Sequence, residues 1–414
     1  MRPLLALAVL LTLAGCRVDD GAEPAAPPPD PTAETTGGAD QAVTTLGDDT
    51  VPTRAEVERD RYVGRGRAQT GTDTTGQAAA ARSNPETLAA VDTTRDWSSE
   101  LRLPLGGDVE GPSVMKLQVL LDRAGFSPGQ IDGRWGDNTE LAVSWLQKAE
   151  GLEATGTVDA QTARALGRRA GAPQQLVVTR RLTDDDVAGP FVEIPADVYE
   201  RAKLDRLGYE SLSEKLGERF HAAPGLLARL NDGAALDALA AGDSLRVPNV
   251  RGAGRGDVEV AEIVISGEGG FLHGVSPSGE VVFHAPVTVG SSYDPSPEGE
   301  YEVTSVTRDP WWHYQPDILA SVPDSEPDAR LPPGPNNSVG VVWIALSKEN
   351  YGIHGTKAPE TIGYASSAGC VRLTNWDAGR LAGLVGAGTP VRFRDVAGRG
   401  GAGSDSTRTA RSSA

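Results

Sequence analysis

Cysteine is nearly absent from this sequence, which has two, Cys16 and Cys370, in 414 residues. A disulfide-stabilised scaffold is therefore excluded, because such scaffolds are dense in cysteine. Aromatic residues are also scarce, at 5%, whereas there are 50 glycines and 29 prolines. This composition predicts that part of the chain has no packed core.

An excess of positive charge is missing as well, since the formal net charge is −18 at pH 7. That balance argues against a nucleic-acid partner and against a polybasic membrane-binding surface. The chain contains no HExxH, paired CxxC, P-loop or dinucleotide-binding glycine motif. We therefore expect that neither a metal nor a nucleotide cofactor is needed.

The first sixteen residues, MRPLLALAVLLTLAGC, combine one cation, a short apolar run and small residues. This is the layout of a secretory signal peptide, and the run is too short for a stable bilayer anchor. Its ending, LAGC, resembles the lipobox of bacterial lipoproteins, which implies that Cys16 is acylated; the alternative is an ordinary signal with an accidental cysteine. A lipidated Cys16 leaves Cys370 without a disulfide partner, as an intermolecular link or a free reactive thiol.

The length allows two or three domains. Residues 17–110 are rich in Pro, Thr, Ala, Gly and acids without an apolar period, which predicts a disordered tether. Residues 396–414 are Gly, Ser and Arg with little apolar content, and we expect a disordered tail.

Order is predicted to begin near Pro112, where apolar residues recur at helical spacing. Three short helices are expected over residues 111–168, separated by "GFSPGQIDGRWG" and "GLEATGTVD". The succession of Leu117-Gln118, Ile131-Asp132-Gly133 and Gly151-Leu152 resembles the peptidoglycan-binding-domain-1 family. The resemblance implies a docking module for cell-wall glycan or peptide.

Residues 169–204 are interpreted as a connector with a strand at 176–179. Residues 205–250 contain two amphipathic helices and the turn-strand "GDSLRVP". This stretch resembles a small α+β LysM module, although "DRLGYES" replaces the expected first strand and turn. An interdomain spacer is the alternative, and the resemblance leaves glycan binding open.

A mostly-β domain is predicted over residues 256–395, because the pattern changes to period two with β-branched runs. One helix is expected from about residue 375 to 385, capped by Thr374 or Asn375. The strand candidates are residues 258–265, 271–275, 281–289, 301–307 and 339–346.

Cys370 is the candidate nucleophile, and a catalytic thiol needs a neighbouring base or a positive potential. His354 lies sixteen positions upstream in "YGIHG", at the end of an apparent strand. Spacing alone does not prove that the two residues meet. The other histidines are less suggestive by position: His221, His273, His284 and His313.

The "IHG" at His354 and the later "SAGCVRL" from Ser367 to Leu373 resemble the active-site signature of the L,D-transpeptidase (YkuD-type) family. The resemblance extends over most of residues 257–394 and implies a β-sandwich-like catalytic domain with one helix. Ser296 stands where threonine is commoner. Ala368 replaces a histidine found in many members, which leaves His354 as the motif histidine that activates the thiol.

The resemblance implies two-step acyl transfer on a peptidoglycan tetrapeptide stem. The Cys370 thiolate displaces D-alanine to form a thioester, His354 relays protons, and an amine accepts the acyl group. Backbone N–H groups near Gly369 and Cys370 are the expected oxyanion donors. Ser367 orients His354 or closes a turn; Arg372 binds a substrate carboxylate or, as we favour, braces the loop. The remaining residues could shape the cleft or serve core and turn roles: Tyr351, Gly355, Asn337 and Trp343.

The favoured function is therefore that of a lipid-anchored enzyme forming 3–3 cross-links in the cell wall. Water as acceptor would make it an L,D-carboxypeptidase or amidase, and a protein lysine would make it an anchoring enzyme. A non-catalytic peptidoglycan-binding lipoprotein is the alternative of another class. The resemblance implies a periplasmic location, and Arg17 after the lipidated cysteine favours the outer membrane where two membranes exist. The sequence leaves the oligomeric state open.

Overall fold

The computed structural model describes residues 100–107, 109–250, 258–291, 295–316 and 325–396. Cys16 with the predicted signal peptide, most of the predicted tether and all but the first residue of the predicted tail lie outside these ranges. The predictions for those segments therefore stay predictions. Among the helices inside the described ranges, none combines the length and apolar character that crossing a membrane requires.

Three helices open the described chain: α1 (Pro112–Ala124), α2 (Asp137–Ala149) and α3 (Ala160–Arg169). Pro112 begins α1, where its missing N–H leaves no bond unmade, and Gly125 ends the helix in the left-handed conformation at φ 84°. Asp159 caps α3 by accepting a hydrogen bond from the Thr162 N–H at 2.7 Å. The three helices predicted for this segment are present.

The next part of the chain is called here the β-α-α-β arrangement, after its two strands and its two longer helices, α6 and α7. Its elements are β1 (Val177–Arg181), α4 (Asp184–Val187), α5 (Val198–Arg201), α6 (Leu212–Arg219), α7 (Pro224–Leu230), a 3-10 turn (Leu236–Ala238) and β2 (Ser244–Pro248). β1 pairs antiparallel with β2, so that Val178 lies opposite Val247. The strand predicted at residues 176–179 is present as β1, and it pairs with the strand predicted within residues 205–250. The sequence did not predict this pairing, because residues 182–211 separate β1 from α6.

The helical bundle α1–α3 and the β-α-α-β arrangement share one hydrophobic core. Leu117, Leu216 and Val247 are each fully buried in it. Backbone bonds also join the two parts, since the Ile131 N–H donates to the His221 carbonyl at 2.8 Å and the Ala223 N–H donates to the Ile131 carbonyl at 2.9 Å. Two stretches that resemble separate modules in sequence therefore form one folded body.

The remaining chain forms an eight-stranded sheet in the order β11-β10-β9-β6-β12-β3-β4-β5. The β10–β11 and β3–β12 pairs are parallel, and the other neighbours are antiparallel. The strands, including the separate β7–β8 hairpin, are β3 (Glu262–Ser266), β4 (Phe271–Val275), β5 (Val281–Pro286), β6 (Gly299–Arg308), β7 (Trp312–Tyr314), β8 (Ala329–Leu331), β9 (Val342–Leu346), β10 (Gly352–His354), β11 (Val371–Arg372) and β12 (Pro390–Arg394).

The sheet curls at β6, the longest strand. Residues 299–302 of β6 pair with β12, whereas the part from Val303 to Arg308 pairs with β9. The register shifts between Val303 and Ser305, and such a bulge bends a strand. Residues from both halves, including Ile265 and Ile344, are fully buried in one core. The expected sandwich is therefore a single curled sheet, because both halves share β6.

Both outer strands of the curled sheet are partly covered. On β5, the Ser127 N–H donates to the His284 carbonyl at 2.9 Å, and the His284 N–H donates to the Gly125 carbonyl at 2.8 Å. On β11, Arg372 exchanges two backbone bonds with Thr288, at 2.8 and 3.1 Å. Covered edges do not offer unpaired backbone groups to other chains.

The five predicted strands correspond to β3, β4, β5, β6 and β9. β4 has the predicted bounds and the other four have shifted ends, whereas β7, β8, β11 and β12 were not predicted. The predicted helix is present but shorter, as α8 (Asn375–Leu381). Thr374 caps it, because its hydroxyl accepts a hydrogen bond from the Asp377 N–H at 3.2 Å. Of the two predicted cap residues, Thr374 rather than Asn375 is the N-cap.

Candidate active site

The parallel pair β10–β11 brings Cys370 and His354 to the same face of the sheet. His354 is the last residue of β10, and Cys370 directly precedes β11. In the register, Ile353 lies opposite Val371 and His354 opposite Arg372. Ile353 and Val371 are fully buried in the core. Because side chains alternate along a strand, Cys370 and His354 both point away from that core.

The hydrogen bond of His354 fixes which ring nitrogen carries the hydrogen. Its Nδ1 lies 2.7 Å from the Gly355 carbonyl oxygen. A carbonyl oxygen can only accept, so Nδ1 must be the donor, and Nε2 keeps its lone pair. The imidazole also stacks on Trp343 of β9, with ring centroids 5.5 Å apart and planes 23° apart. His354 is therefore held in the form in which Nε2 can take up a proton.

Burial keeps His354 neutral. The side chain is 4% exposed. The pKa of His354 is lowered to about 3. Burial is the largest cause and the charge of Arg372 adds to it, while the hydrogen bond with Gly355 opposes the shift. The imidazole is therefore uncharged at neutral pH.

The thiol of Cys370 is also held in its neutral form. Burial raises the pKa of Cys370, although a backbone hydrogen bond from Gly352 and the charge of Arg372 partly oppose this. The sulfur lies 3.7 Å from the Asn350 carbonyl oxygen, to which it can donate. In the resting site the two groups are therefore a thiol and a neutral imidazole rather than a thiolate and an imidazolium.

Gly369 shapes the turn that carries the thiol. Its φ of 94° lies in the left-handed region, and a Cβ there would lie 2.9 Å from Cε1 of Tyr351. Two hydroxyls close the turn: Ser367 Oγ donates to the Cys370 carbonyl at 2.5 Å, and Ser296 Oγ donates to the Gly369 carbonyl at 2.7 Å. Of the two sequence-based alternatives for Ser367, this contact favours the turn-closing role.

The structure also gives the positions of three other predicted residues, Arg372, Tyr351 and Asn337. Arg372 lies opposite His354, and its backbone pairs with Thr288. Tyr351 packs over Gly369, and the Lys348 ammonium lies 4.9 Å from the Tyr351 ring centroid. Asn337 is fully buried and donates to the Pro332 carbonyl at 2.8 Å, which is a turn role rather than a cleft role.

Three residues near the site were not singled out for a role from the sequence. Ser296 was noted only as a departure from a family pattern. Asn375 was considered only as a helix cap, yet its buried amide lies against Gly355, next to His354. Asn138 of α2 donates to the Ile362 carbonyl at 2.9 Å, within the segment that joins His354 to Cys370. None of these contacts has a local sequence signal, because each joins residues far apart in the chain.

Two family models match the chain. Residues 262–393 match "L,D-transpeptidase catalytic domain", and residues 110–166 match "Putative peptidoglycan binding domain". The catalytic match contains β10, β11 and α8, with Cys370 and His354. The second match covers α1, α2 and most of α3.

Curated relatives are similar to the same region. "Putative L,D-transpeptidase YkuD" of Bacillus licheniformis is 30% identical over 178 residues, which are 43% of this chain and 90% of that protein. The protein of the same name from Bacillus subtilis (strain 168) is 35% identical over 106 residues, which are 26% of this chain and 49% of that protein. Among solved structures, an L,D-transpeptidase (residues 123-326) from Xylanimonas cellulosilytica is 17% identical with a TM-score of 0.31, covering 71% of this chain and 99% of that one.

Proposed function

The chain belongs to the YkuD-type L,D-transpeptidase family, and from this premise we propose that it is a cysteine-dependent acyltransferase acting on peptidoglycan stem peptides. One observation carries the proposal. Cys370 and His354 share one face of β10–β11, and Nδ1 of His354 is committed to the Gly355 carbonyl, so that Nε2 keeps its lone pair for a proton.

The first step forms a thioester. Cys370 Sγ attacks the carbonyl carbon of the third stem residue while its proton moves to His354 Nε2. The N–H groups at Gly369 and Cys370 stabilise the negative charge that develops on the carbonyl oxygen. As the tetrahedral intermediate collapses, the C–N bond to D-alanine breaks, and the proton held by His354 passes to the leaving amine.

The second step transfers the acyl group to an amine. The acceptor amine, on the third residue of a neighbouring stem, attacks the thioester carbonyl and gives its proton to His354 Nε2. The C–S bond then breaks, and the thiolate of Cys370 recovers that proton. The product is a 3–3 cross-link, and the enzyme returns to the neutral thiol and imidazole pair.

The neutral resting pair has a consequence for rate. A thiol with a raised pKa is a weak nucleophile until a base removes its proton. The nucleophile is therefore generated in the same step in which it attacks, and activity depends on His354 rather than on a standing thiolate.

The rest of the chain holds the enzyme at the wall. The α1–α3 bundle, which matches a peptidoglycan-binding model, binds the polymer. The β-α-α-β arrangement is a LysM-like module, and lipidation of Cys16 attaches the chain to a membrane, in the periplasm at the outer membrane where one exists. These attributions rest on the sequence resemblances described above.

Product analysis tests this function. Purified protein is incubated with disaccharide tetrapeptides, and the products are analysed by mass spectrometry. Dimers joined at position three, with release of D-alanine, are the expected result, and Cys370→Ala abolishes them. Tripeptides alone would instead identify a hydrolase, a link to a protein lysine would identify an anchoring enzyme, and no product at all would favour a binding protein.

A further inference from the structure

The buried amide of Asn375, at the first turn of α8, connects several segments around the site. Its Nδ2 donates to Glu218 Oε1 at 2.7 Å and to the Pro335 carbonyl at 3.2 Å. Its Oδ1 accepts from the Val341 N–H at 3.2 Å. Both ends of the amide are therefore engaged, which fixes its orientation.

Asn375 also lies directly against Gly355. The amide oxygen is so close to the Gly355 Cα that a side chain at position 355 would overlap it. The carbonyl of the same Gly355 receives the hydrogen of His354 Nδ1 at 2.7 Å. Asn375 thus supports the peptide group that fixes the tautomer of the proposed base.

Glu218 comes from α6, outside the catalytic domain match. The segment before α6 is tied to the chain that leads into β9, since the Leu207 N–H donates to the Pro333 carbonyl at 3.0 Å and the Asn336 N–H donates to the Leu207 carbonyl at 3.1 Å. One turn before Glu218, Glu214 Oε1 accepts from Asn336 Nδ2 at 2.7 Å. The backbone bonds of Leu207 therefore hold this segment in place without either glutamate.

The surroundings of Glu218 favour its neutral form. Burial is the largest cause that raises its pKa, to about 8, and the charge of Glu214 adds to the shift. Hydrogen bonds from Asn375 and from Tyr209, whose hydroxyl lies 3.4 Å from Oε2, oppose it. A neutral carboxyl can orient Asn375 without placing a negative charge beside the base.

We propose that Glu218 and Asn375 are positioning residues for His354. Glu218 orients the Asn375 amide, Asn375 packs against the Cα of Gly355, and the Gly355 carbonyl keeps the imidazole hydrogen on Nδ1. The LysM-like part of this chain thereby completes the support of the active site, in addition to any contact with glycan. This inference rests on the proposed function, because it takes His354 to be the base.

The test compares four variants in the full chain. Asn375→Ala and Glu218→Ala remove the support, and Glu218→Gln keeps a neutral acceptor for Asn375. Glu214→Ala is the matched control, because it removes the same side chain from the same helix but breaks the contact with Asn336 instead. The readouts are the ¹⁵N chemical shifts of His354, assigned by their loss in His354→Gln, and the kinetics of D-alanine release from a tetrapeptide.

With the support removed, we expect a mixture of His354 tautomers and a kcat lower by on the order of 10- to 100-fold, with little change in KM. Glu218→Gln restores the Nδ1–H tautomer and the rate at pH 7, and Glu214→Ala leaves both unchanged. An unchanged tautomer and rate in Glu218→Ala would overturn the inference, as would equal losses in Glu218→Ala and Glu214→Ala. If the unmodified protein releases no D-alanine, the proposed function fails, while the tautomer still decides the positioning role.

Discussion

At the scale of single residues, the site combines a neutral thiol with a neutral imidazole, and this predicts how Cys370 reacts with an alkylating agent. Because burial raises the pKa of Cys370, its thiolate fraction keeps growing into the alkaline range. The rate of alkylation by iodoacetamide should therefore rise up to at least about pH 9. Mass spectrometry measures it, with Cys370→Ser reporting any labelling elsewhere. A plateau already reached at neutral pH would show a standing thiolate and contradict the neutral pair.

Gly369 provides a second prediction at this scale. Alanine at 369 is strained by the φ of 94° and also meets Tyr351, so we expect at least a tenfold loss of kcat together with about 1–2 kcal/mol of stability. Gly388→Ala is the matched control, because φ is 87° there but no atom lies within 4 Å of the added Cβ. The control should lose similar stability in urea unfolding and keep its activity. Equal activity of the two variants would show that the turn is not needed.

The residue scale also shows what the sequence could and could not reveal. The family resemblance, not the spacing, predicted Cys370 and His354 as a pair. The parallel register of β10 and β11 shows how two residues sixteen positions apart come to lie on one face of the sheet. Ser296 and Glu218 were missed as partners because their contacts with Gly369 and Asn375 span 73 and 157 residues. Such long-range contacts depend on tertiary packing, which a local pattern does not encode.

At the scale of elements, α8 is contacted by the α1–α3 bundle and by the β-α-α-β arrangement. The α1–α3 bundle contacts it through Ser127, whose hydroxyl donates to Asp377 Oδ2 at 2.7 Å. The β-α-α-β arrangement contacts it through Glu218 and through His221, which stacks on Trp376 at 5.1 Å between centroids. The sequence predicted this helix from its local cap and pattern. The sequence did not predict these contacts, because a helix cap depends on neighbouring residues whereas these contacts join residues far apart in the chain.

The Ser127–Asp377 contact predicts an energetic coupling between the bundle and α8. Ser127→Ala removes one of the two hydroxyls that donate to the buried carboxyl of Asp377, and Thr374 remains as a donor at 2.7 Å. We expect the free energy of unfolding to fall by about 1–3 kcal/mol. In a double-mutant cycle with Asp377→Asn, measured by urea unfolding at pH 7, we expect a coupling of at least about 0.5 kcal/mol. Additive effects of the two substitutions would mean that the bundle does not support α8 through this bond.

At the scale of the whole molecule, the bundle and the curled sheet meet over a pair of buried histidines. His273 Nε2 lies 3.1 Å from His284 Nδ1, and Trp145 of α2 packs on the His273 ring at 4.3 Å between centroids. Burial lowers the pKa of His273 to about 2 and that of His284 to about 3. Neither imidazole can be charged without disturbing the contact between the two parts.

These histidines predict a loss of stability in acid. The unfolded chain binds protons near pH 6.5, whereas the folded chain does so only near pH 2–3, so stability falls as pH decreases below about 6.5. Between pH 7 and pH 5, the free energy of unfolding of His284→Gln should fall by about 2 kcal/mol less than that of the unmodified protein. His313→Gln, at an exposed position on β7, is the control in denaturant unfolding. Identical pH dependence in His284→Gln and the unmodified protein would contradict this account.

The measurement that tests the central claim most directly is the trapping of an acyl-enzyme. The protein is mixed with a disaccharide tetrapeptide, quenched in acid within seconds, and digested for mass spectrometry. We predict a tripeptide-stem adduct on the peptide that contains Cys370, absent in Cys370→Ser and reduced by at least about 100-fold in His354→Gln. An adduct that forms at a normal rate without His354, or turnover without Cys370, would contradict the account.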